Sequence, residues 1–137
     1  MSSLTHSPAL GNYLKARVIA YWLVTAFIVF ELIYGALWDF NVLNQGYVYE
    51  ILRHLGYPLY LATILAVSKV AAAVVISIPG FRLLKEWAYA GVTVLFMGAF
   101  ISHLAVGDGL DKSIWSLLFG VLTLISWALR PQNRRLI

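Results

Sequence analysis

The sequence predicts an all-α membrane protein, an antiparallel bundle of four transmembrane helices with a short interfacial helix between the first and second spans. Hydrophobic residues make up 61% of the 137 residues and charged residues only 12%. A soluble domain of this size needs a more charged surface, because it cannot hide so many apolar residues from water. Four apolar runs are separated by short polar segments, and each is long enough to cross about 30 Å of hydrocarbon as a helix.

The first span is predicted at residues 18–38, a run of apolar residues with one charge. Residues 1–17 are polar and are predicted to form a tail. Residues 39–56 are less apolar and contain four apolar side chains at the spacing i, i+3, i+4, i+7. These are Val48, Ile51, Leu52 and Leu55. This spacing predicts an amphipathic helix at the membrane surface.

The remaining three spans are predicted at residues 57–78, 86–106 and 113–129. Pro58 suits the first turn of the second span, because proline is tolerated where the backbone N–H has no helical partner. Pro79 ends that span. The loops between spans are short, and short loops favour antiparallel neighbours.

The basic residues predict the orientation of the spans. Seven of the ten Lys and Arg residues fall on one side of the predicted membrane: Lys15, Arg17, Arg82, Lys85, Arg130, Arg134 and Arg135. The other side has two, Arg53 and Lys112. The positive-inside rule therefore places both termini in the cytoplasm. The predicted organisation is a cytoplasmic tail at 1–17, one transmembrane domain at 18–130 and a basic cytoplasmic tail at 131–137.

Three ionisable residues within the spans are the candidate site. At 1.5 Å per residue, Glu31, Lys69 and His103 lie about 10, 18 and 5 Å from the outer ends of their spans, and a lysine side chain can extend outward. Glu31 and Lys69 therefore come within reach of each other. They form either a buried ion pair with a purely structural role or part of an outward-opening polar pocket. Tyr34 adds a phenol to the pocket or belongs to an interfacial aromatic belt.

Composition excludes several kinds of site. The chain has no cysteine, so disulfides, thiolate metal sites and iron–sulfur ligation by this chain alone are excluded. Its three histidines have no recognised metal-ligand spacing, and no metal is predicted. The net charge of +4 comes from residues that flank apolar runs, which indicates membrane topology and not nucleic-acid binding.

Several short strings give the chain a family resemblance. They are Glu31 with Tyr34-Gly35, Leu55-Gly56-Tyr57-Pro58, Lys69, Pro79, Lys85-Glu86-Trp87-Ala88-Tyr89-Ala90-Gly91, Ser102-His103 and Gly107-Asp108. In these strings and their order, the chain resembles the DoxX-like family of small four-span bacterial membrane proteins. The resemblance covers about residues 31–130.

The resemblance implies a multi-pass protein of the bacterial inner membrane that is a quinone-linked or redox-associated subunit. It implies a partner oxidoreductase subunit or a homo-oligomer. A bound quinone is the cofactor that suits the residues, since its ring can pack on Tyr34 and Trp38 and its carbonyls can accept hydrogen bonds from Lys69 and His103. In this interpretation Glu31, Lys69 and His103 are the catalytic residues.

Three other functions remain open from the sequence. The first is a membrane-embedded acid/base enzyme or binder for another lipophilic small molecule, with Glu31 and a cationic neighbour as acid and base. The second is a proton-coupled transporter with Glu31 as the proton site, although Lys69 in the same bundle argues against this. The third is a structural subunit that only anchors other subunits. The sequence does not identify the substrate.

Overall fold

The protein is all-helical over residues 8–137, the residues that the structure, a computed structural model, describes. The helices are α1 (Pro8–Asp39), α2 (Tyr47–Leu55), α3 (Leu61–Ser77), α4 (Arg82–Ala105), α5 (Leu110–Leu129) and one 3₁₀ turn at Gln132–Arg134. The all-α prediction is confirmed. Residues 1–7 of the predicted tail lie outside the described residues, and residues 8–17 form the first turns of α1.

Three helices are long and apolar enough to cross a membrane. They are α1, α4 and α5, with 32, 24 and 20 residues. Helix α3 is also apolar but has 17 residues, or about 25 Å of helix. It is shorter than the predicted second span because Pro58 and the following residues form a turn. In that turn the Leu61 N–H bonds the Pro58 carbonyl at 3.1 Å, and regular helix begins only at Leu61.

Helices α1, α3, α4 and α5 form a closed bundle in which each packs against two of the others. Helix α1 packs against α3 and α5, and α4 also packs against α3 and α5. The buried apolar core lies mainly between α1, α3 and α4, and its members are Ile28, Leu32, Ala73, Ile76, Tyr89, Val92 and Phe96. A buried polar contact joins three helices, because the Ser126 hydroxyl lies 2.7 Å from the Thr25 hydroxyl and 2.8 Å from the Tyr89 hydroxyl. Each hydroxyl therefore has a partner inside the bundle.

One end of the bundle, here called the basic end, holds the buried cations Lys85, Arg130 and Arg134. Lys85 and Arg134 donate hydrogen bonds to the last backbone carbonyls of α3 and to the residue that follows it. The acceptors are Val75 and Ile78 for Lys85, and Ile76, Ser77 and Ile78 for Arg134. These carbonyls have no partner within a helix, and cations stabilise a helix C-terminus. The residues that predicted orientation therefore also cap α3.

Helix α2 lies at the opposite end, here called the pocket end. It has nine residues and is bounded by Gly46 and Gly56, whose φ angles of +89° and +83° lie in the left-handed region that glycine adopts without strain. Val48 and Leu52 of α2 are buried against Ala62 of α3. The amphipathic helix predicted between the first two apolar runs is present, and its apolar face packs on α3.

Candidate ligand-binding site

An ion pair joins α1 to α3 at the pocket end. The Lys69 Nζ lies 2.6 Å from the Asp39 Oδ2, and the two side chains are only 15% and 10% exposed. Gly35 makes this arrangement possible, since a Cβ at that position would lie 3.0 Å from the Lys69 Nζ. The lysine side chain therefore crosses the surface of α1 at a glycine and reaches the carboxylate at the end of the helix.

Of the two alternatives for Glu31 and Lys69, the direct ion pair is wrong. Among residues 8–137, Glu31 forms no ion pair within 4.0 Å, and Lys69 pairs with Asp39 instead. Glu31 is half-buried and interacts with Lys69 and Asp39 only through longer-range electrostatics. The physical reason is that the lysine extends outward past the level of Glu31, because Asp39 lies about 12 Å further along the helix.

A cavity of about 720 Å³ lies between α2, α3, α4 and the end of α1. Its volume is within the range of small-molecule sites, about 300–1,000 Å³. Most of its wall is apolar, and Leu52, Leu65 and Val92 are examples from three helices. The polar members of the wall used below are Trp38, Asp39, Tyr57, Lys69, Ser102 and His103. A largely apolar wall with a few polar groups is typical of a site for a lipophilic molecule.

The five residues that the sequence singled out do not all meet. Lys69, His103 and Trp38 line the cavity, whereas Glu31 and Tyr34 do not. The Tyr34 ring stacks on Phe30 with ring centroids 5.7 Å apart and lies tilted to Trp38 with ring centroids 6.0 Å apart, and Tyr34 is exposed on the surface of α1. The structure therefore separates the predicted set into a group at the cavity and a group on the surface of α1.

The indole of Trp38 contributes a polar atom without a partner. Its Nε1 is buried and has no hydrogen-bond partner among the described residues. A buried donor without a partner costs free energy, and such groups are rare in folded proteins. Because Trp38 lines the cavity next to Asp39, this N–H is a candidate donor to a bound molecule.

Two polar contacts lie beside the cavity at the pocket end, at its lining residues Tyr57, Ser102 and His103. The Asp108 carboxylate binds His103 Nδ1 at 2.6 Å and His54 Nε2 at 2.7 Å, and the Tyr57 hydroxyl lies 2.6 Å from the Ser102 hydroxyl. The first contact joins the end of α2 to α4 and to the loop that follows α4. The second joins the segment after α2 to α4. Helix α2, which also lines the cavity, therefore forms its roof.

Asp108 is the charged residue of the first of these contacts. The hydrogen bond from His103, followed by that from His54, holds the pKa of the Asp108 carboxyl below its ordinary value of 3.8. The side chain is 7% exposed, whereas His54 is 46% exposed. No group of three or more His, Asp or Glu side chains within residues 8–137 is arranged to hold a metal ion.

The sequence interpretation missed Asp39, His54 and Asp108 as members of one site. Asp39 follows the apolar run and was placed in a polar connection. Asp108 lies between two glycines in the short segment between the third and fourth predicted spans, where the sequence pattern indicates only a loop. Its position five residues after His103, in a tight turn that folds the chain back, is the signal that could have found that contact.

One family comparison places this architecture among known proteins. The model of the DoxX-like family matches residues 23–126, which is well over half of the chain. The chain belongs to the DoxX-like family. The matched range includes all of the cavity-lining residues named above, and the family resemblance predicted from the sequence is confirmed. Comparisons with curated proteins and with solved structures gave no match.

Proposed function

We propose that this DoxX-like protein is a four-span inner-membrane subunit that binds a quinone in the cavity beside Lys69 and acts in quinone-linked redox chemistry. The proposal rests on one observation above all: the Lys69–Asp39 ion pair lies on the wall of a largely apolar cavity. Trp38, whose buried N–H has no partner among the described residues, lines the same cavity. Quinone carbonyls are acceptors, and the quinone ring and tail are apolar. The wall therefore offers both kinds of contact that a quinone needs.

In the proposed complex, Lys69 and Trp38 bind one quinone oxygen. The ammonium keeps its hydrogen bond to Asp39 and donates a second hydrogen bond to the ligand. The indole N–H gains the quinone oxygen as its acceptor. A hydrogen bond from a charged donor contributes about 1.5–3 kcal/mol. The chain has no cysteine to carry electrons, so we propose that a partner oxidoreductase subunit reduces or oxidises the bound molecule.

The four-span topology is part of this proposal. Helix α3 has 17 residues, at the short end of the length that spans a bilayer. Its packing between α1 and α4, in the closed bundle, supports a fourth antiparallel span. The cluster of Lys85, Arg130 and Arg134 at one end supports a cytoplasmic location for that end and for both termini.

The topology can be tested directly because the chain has no cysteine. Single substitutions Arg53→Cys and Arg82→Cys place one thiol at each end of the bundle. In intact bacterial cells, a membrane-impermeant maleimide is expected to label the first variant and not the second. Labelling of both variants, or of only Arg82→Cys, would contradict the proposed orientation.

Quinone binding is tested with the purified protein and a short-chain ubiquinone and menaquinone. We expect Lys69→Ala and Trp38→Phe to weaken binding about tenfold each, as expected for the loss of one hydrogen bond. Lys15→Ala and Trp115→Phe are matched controls, since both side chains are exposed and lie outside the cavity. The proposal fails if neither quinone binds, or if the cavity variants bind as the wild type does.

A second candidate function is an acid/base enzyme for a lipophilic substrate. The observation that favours it is the hydrogen bond from His103, on the cavity wall, to the Asp108 carboxylate, an arrangement that can orient a general base. It differs from the first proposal in needing no partner protein. Turnover of a lipophilic substrate by the purified chain alone, abolished by His103→Gln, would favour it over a quinone-binding subunit.

A further inference from the structure

His103 is held in one orientation by Asp108. The His103 Nδ1 lies 2.6 Å from the Asp108 Oδ2, and the carboxylate also binds His54 Nε2 at 2.7 and 2.9 Å. The Lys112 Nζ lies 4.0 Å from the same carboxylate. With these donors around it, Asp108 is ionised at neutral pH. An ionised carboxylate only accepts hydrogen bonds, so the His103 Nδ1 must carry the proton in this contact.

The other ring nitrogen of His103 then has a defined character. In a neutral imidazole with the proton on Nδ1, Nε2 is an acceptor. His103 lines the cavity and its Nδ1 is occupied, so Nε2 is the atom through which the ring can bind a cavity ligand. The wall thus combines the donors of Lys69 and Trp38 with an acceptor on α4. The hydroxyls of Tyr57 and Ser102 are hydrogen-bonded to each other.

We propose that the cavity selects the hydroxylated, hydroquinone-type form of its ligand. One ligand O–H donates to His103 Nε2, and Asp108 is the positioning residue that fixes the tautomer of His103. This inference rests on the proposed quinone site and deepens it, because it names the form of the ligand that binds more tightly. A site built to bond a hydroxyl discriminates against an analogue that lacks the proton, since the acceptor that the ligand covers is then left unpaired.

The binding experiment compares a short-chain benzohydroquinone with its dimethyl ether at pH 7 under anaerobic conditions. The ether retains the ring and the oxygen atoms but has no O–H to donate. We expect the wild type to bind the hydroquinone about tenfold more tightly than the ether. His103→Phe and Asp108→Ala are expected to abolish this preference, and Lys15→Ala, which lies outside the cavity, to retain it.

The design separates hydrogen bonding from size. Phenylalanine is close to histidine in size, so a preference that arises only from the extra methyl groups would persist in His103→Phe and would overturn the inference. Equal binding of the two probes to the wild type would also overturn it while leaving the quinone site intact. Failure of hydroquinone, ether and quinone to bind at all would refute the proposed function itself.

A spectroscopic experiment tests the positioning role without a ligand. In ¹⁵N NMR spectra of histidine-labelled protein, the neutral His103 ring is expected to carry its proton on Nδ1. In Asp108→Ala it is expected to shift toward the Nε2-protonated form, which a merely structural role for Asp108 would not produce. A wild-type neutral ring protonated on Nε2 would overturn the inference.

Discussion

The two ends of the bundle both contain buried cations but satisfy them in different ways. At the basic end, Lys85 and Arg134 are bound by the carbonyls that end α3, and Arg134 also donates to the Tyr21 hydroxyl at 2.9 Å. At the pocket end, Lys69 has one carboxylate partner, and the Trp38 N–H beside it has none among the described residues. At the basic end the buried cations hydrogen-bond to groups of the fold itself, whereas at the pocket end hydrogen-bonding capacity is left for a ligand.

The comparison shows that charge burial alone does not identify a functional site. Lys85 is more deeply buried than Lys69, and yet its hydrogen bonds end in backbone carbonyls with a clear structural purpose. What distinguishes Lys69 is the adjoining cavity of about 720 Å³. We therefore expect substitutions at the basic end to change mainly stability and those at the pocket end to change mainly binding.

The largest expected effect on stability is that of Arg134→Ala. The change removes hydrogen bonds to three backbone carbonyls and to the Tyr21 hydroxyl, and we expect the free energy of unfolding in detergent to fall by about 3 kcal/mol. Arg82→Ala is the matched control, since Arg82 is exposed at the same end of the bundle, and it should change stability by less than about 0.5 kcal/mol. Equal stability of the two variants would contradict a structural role for Arg134.

The second prediction compares the two acidic residues of α1. Asp39→Asn leaves the Lys69 ammonium without its charge partner, and we expect a loss of about 2 kcal/mol in stability together with weaker quinone binding. Glu31→Gln should change stability by no more than about 0.5 kcal/mol, because Glu31 has no ion-pair partner within residues 8–137. Denaturant titrations and binding isotherms measure both. A larger effect of Glu31→Gln on binding would favour the original pairing of Glu31 with Lys69.

A third prediction concerns the glycine over which Lys69 passes. In Gly35→Ala the new Cβ lies 3.0 Å from the Lys69 Nζ, so the flexible end of the lysine must shift by a few tenths of an ångström. We expect a stability loss of about 1 kcal/mol and a clear loss of quinone affinity. Gly11→Ala is the control, because no atom lies within 4 Å of its Cβ. Unchanged affinity in Gly35→Ala would show that the present lysine position is not needed for binding.

The sequence predicted helices better than contacts between them. Apolar runs gave the helical class and the amphipathic α2, because hydrophobic periodicity is a local signal. Depth along a span was a poor guide to pairing, since it does not show which side of α1 Glu31 occupies or where the long side chain of Lys69 ends. Asp39 was missed because a charge just beyond an apolar run resembles the start of a loop.

Contacts between distant residues were also beyond the sequence pattern. His54 and Asp108 are 54 residues apart and meet only because α2 folds over the cavity. The sequence indicates an amphipathic helix around His54 and, separately, a short loop around Asp108. Neither pattern indicates that His54, on the polar side of α2, would meet Asp108. Helix α1 also begins at Pro8, ten residues before the predicted span, since polar residues extend a helix beyond the apolar run.

The smallest expected effect is a pH dependence of the roof. Because the pKa of Asp108 is lowered in the folded protein, its ionised form stabilises the contact with His103 and His54 above the ordinary value of 3.8. That stabilisation is lost as the pH falls through the lowered pKa. Amide hydrogen exchange in α2, measured relative to the C-terminal half of α5, should therefore stay constant from about pH 6 to 4 and lose protection below that range.

Asp108→Asn provides the comparison that isolates this carboxylate. The variant cannot ionise at this position, so its α2 protection should be lower than that of the wild type near neutral pH and should not change further below pH 4. Protection in the C-terminal half of α5 should be the same in both proteins, because that half lies toward the basic end, whereas the contacts of Asp108 with His54 and His103 lie at the pocket end. An acid-induced loss that persists in Asp108→Asn would place the titrating group elsewhere and would remove the link between this carboxylate and the roof.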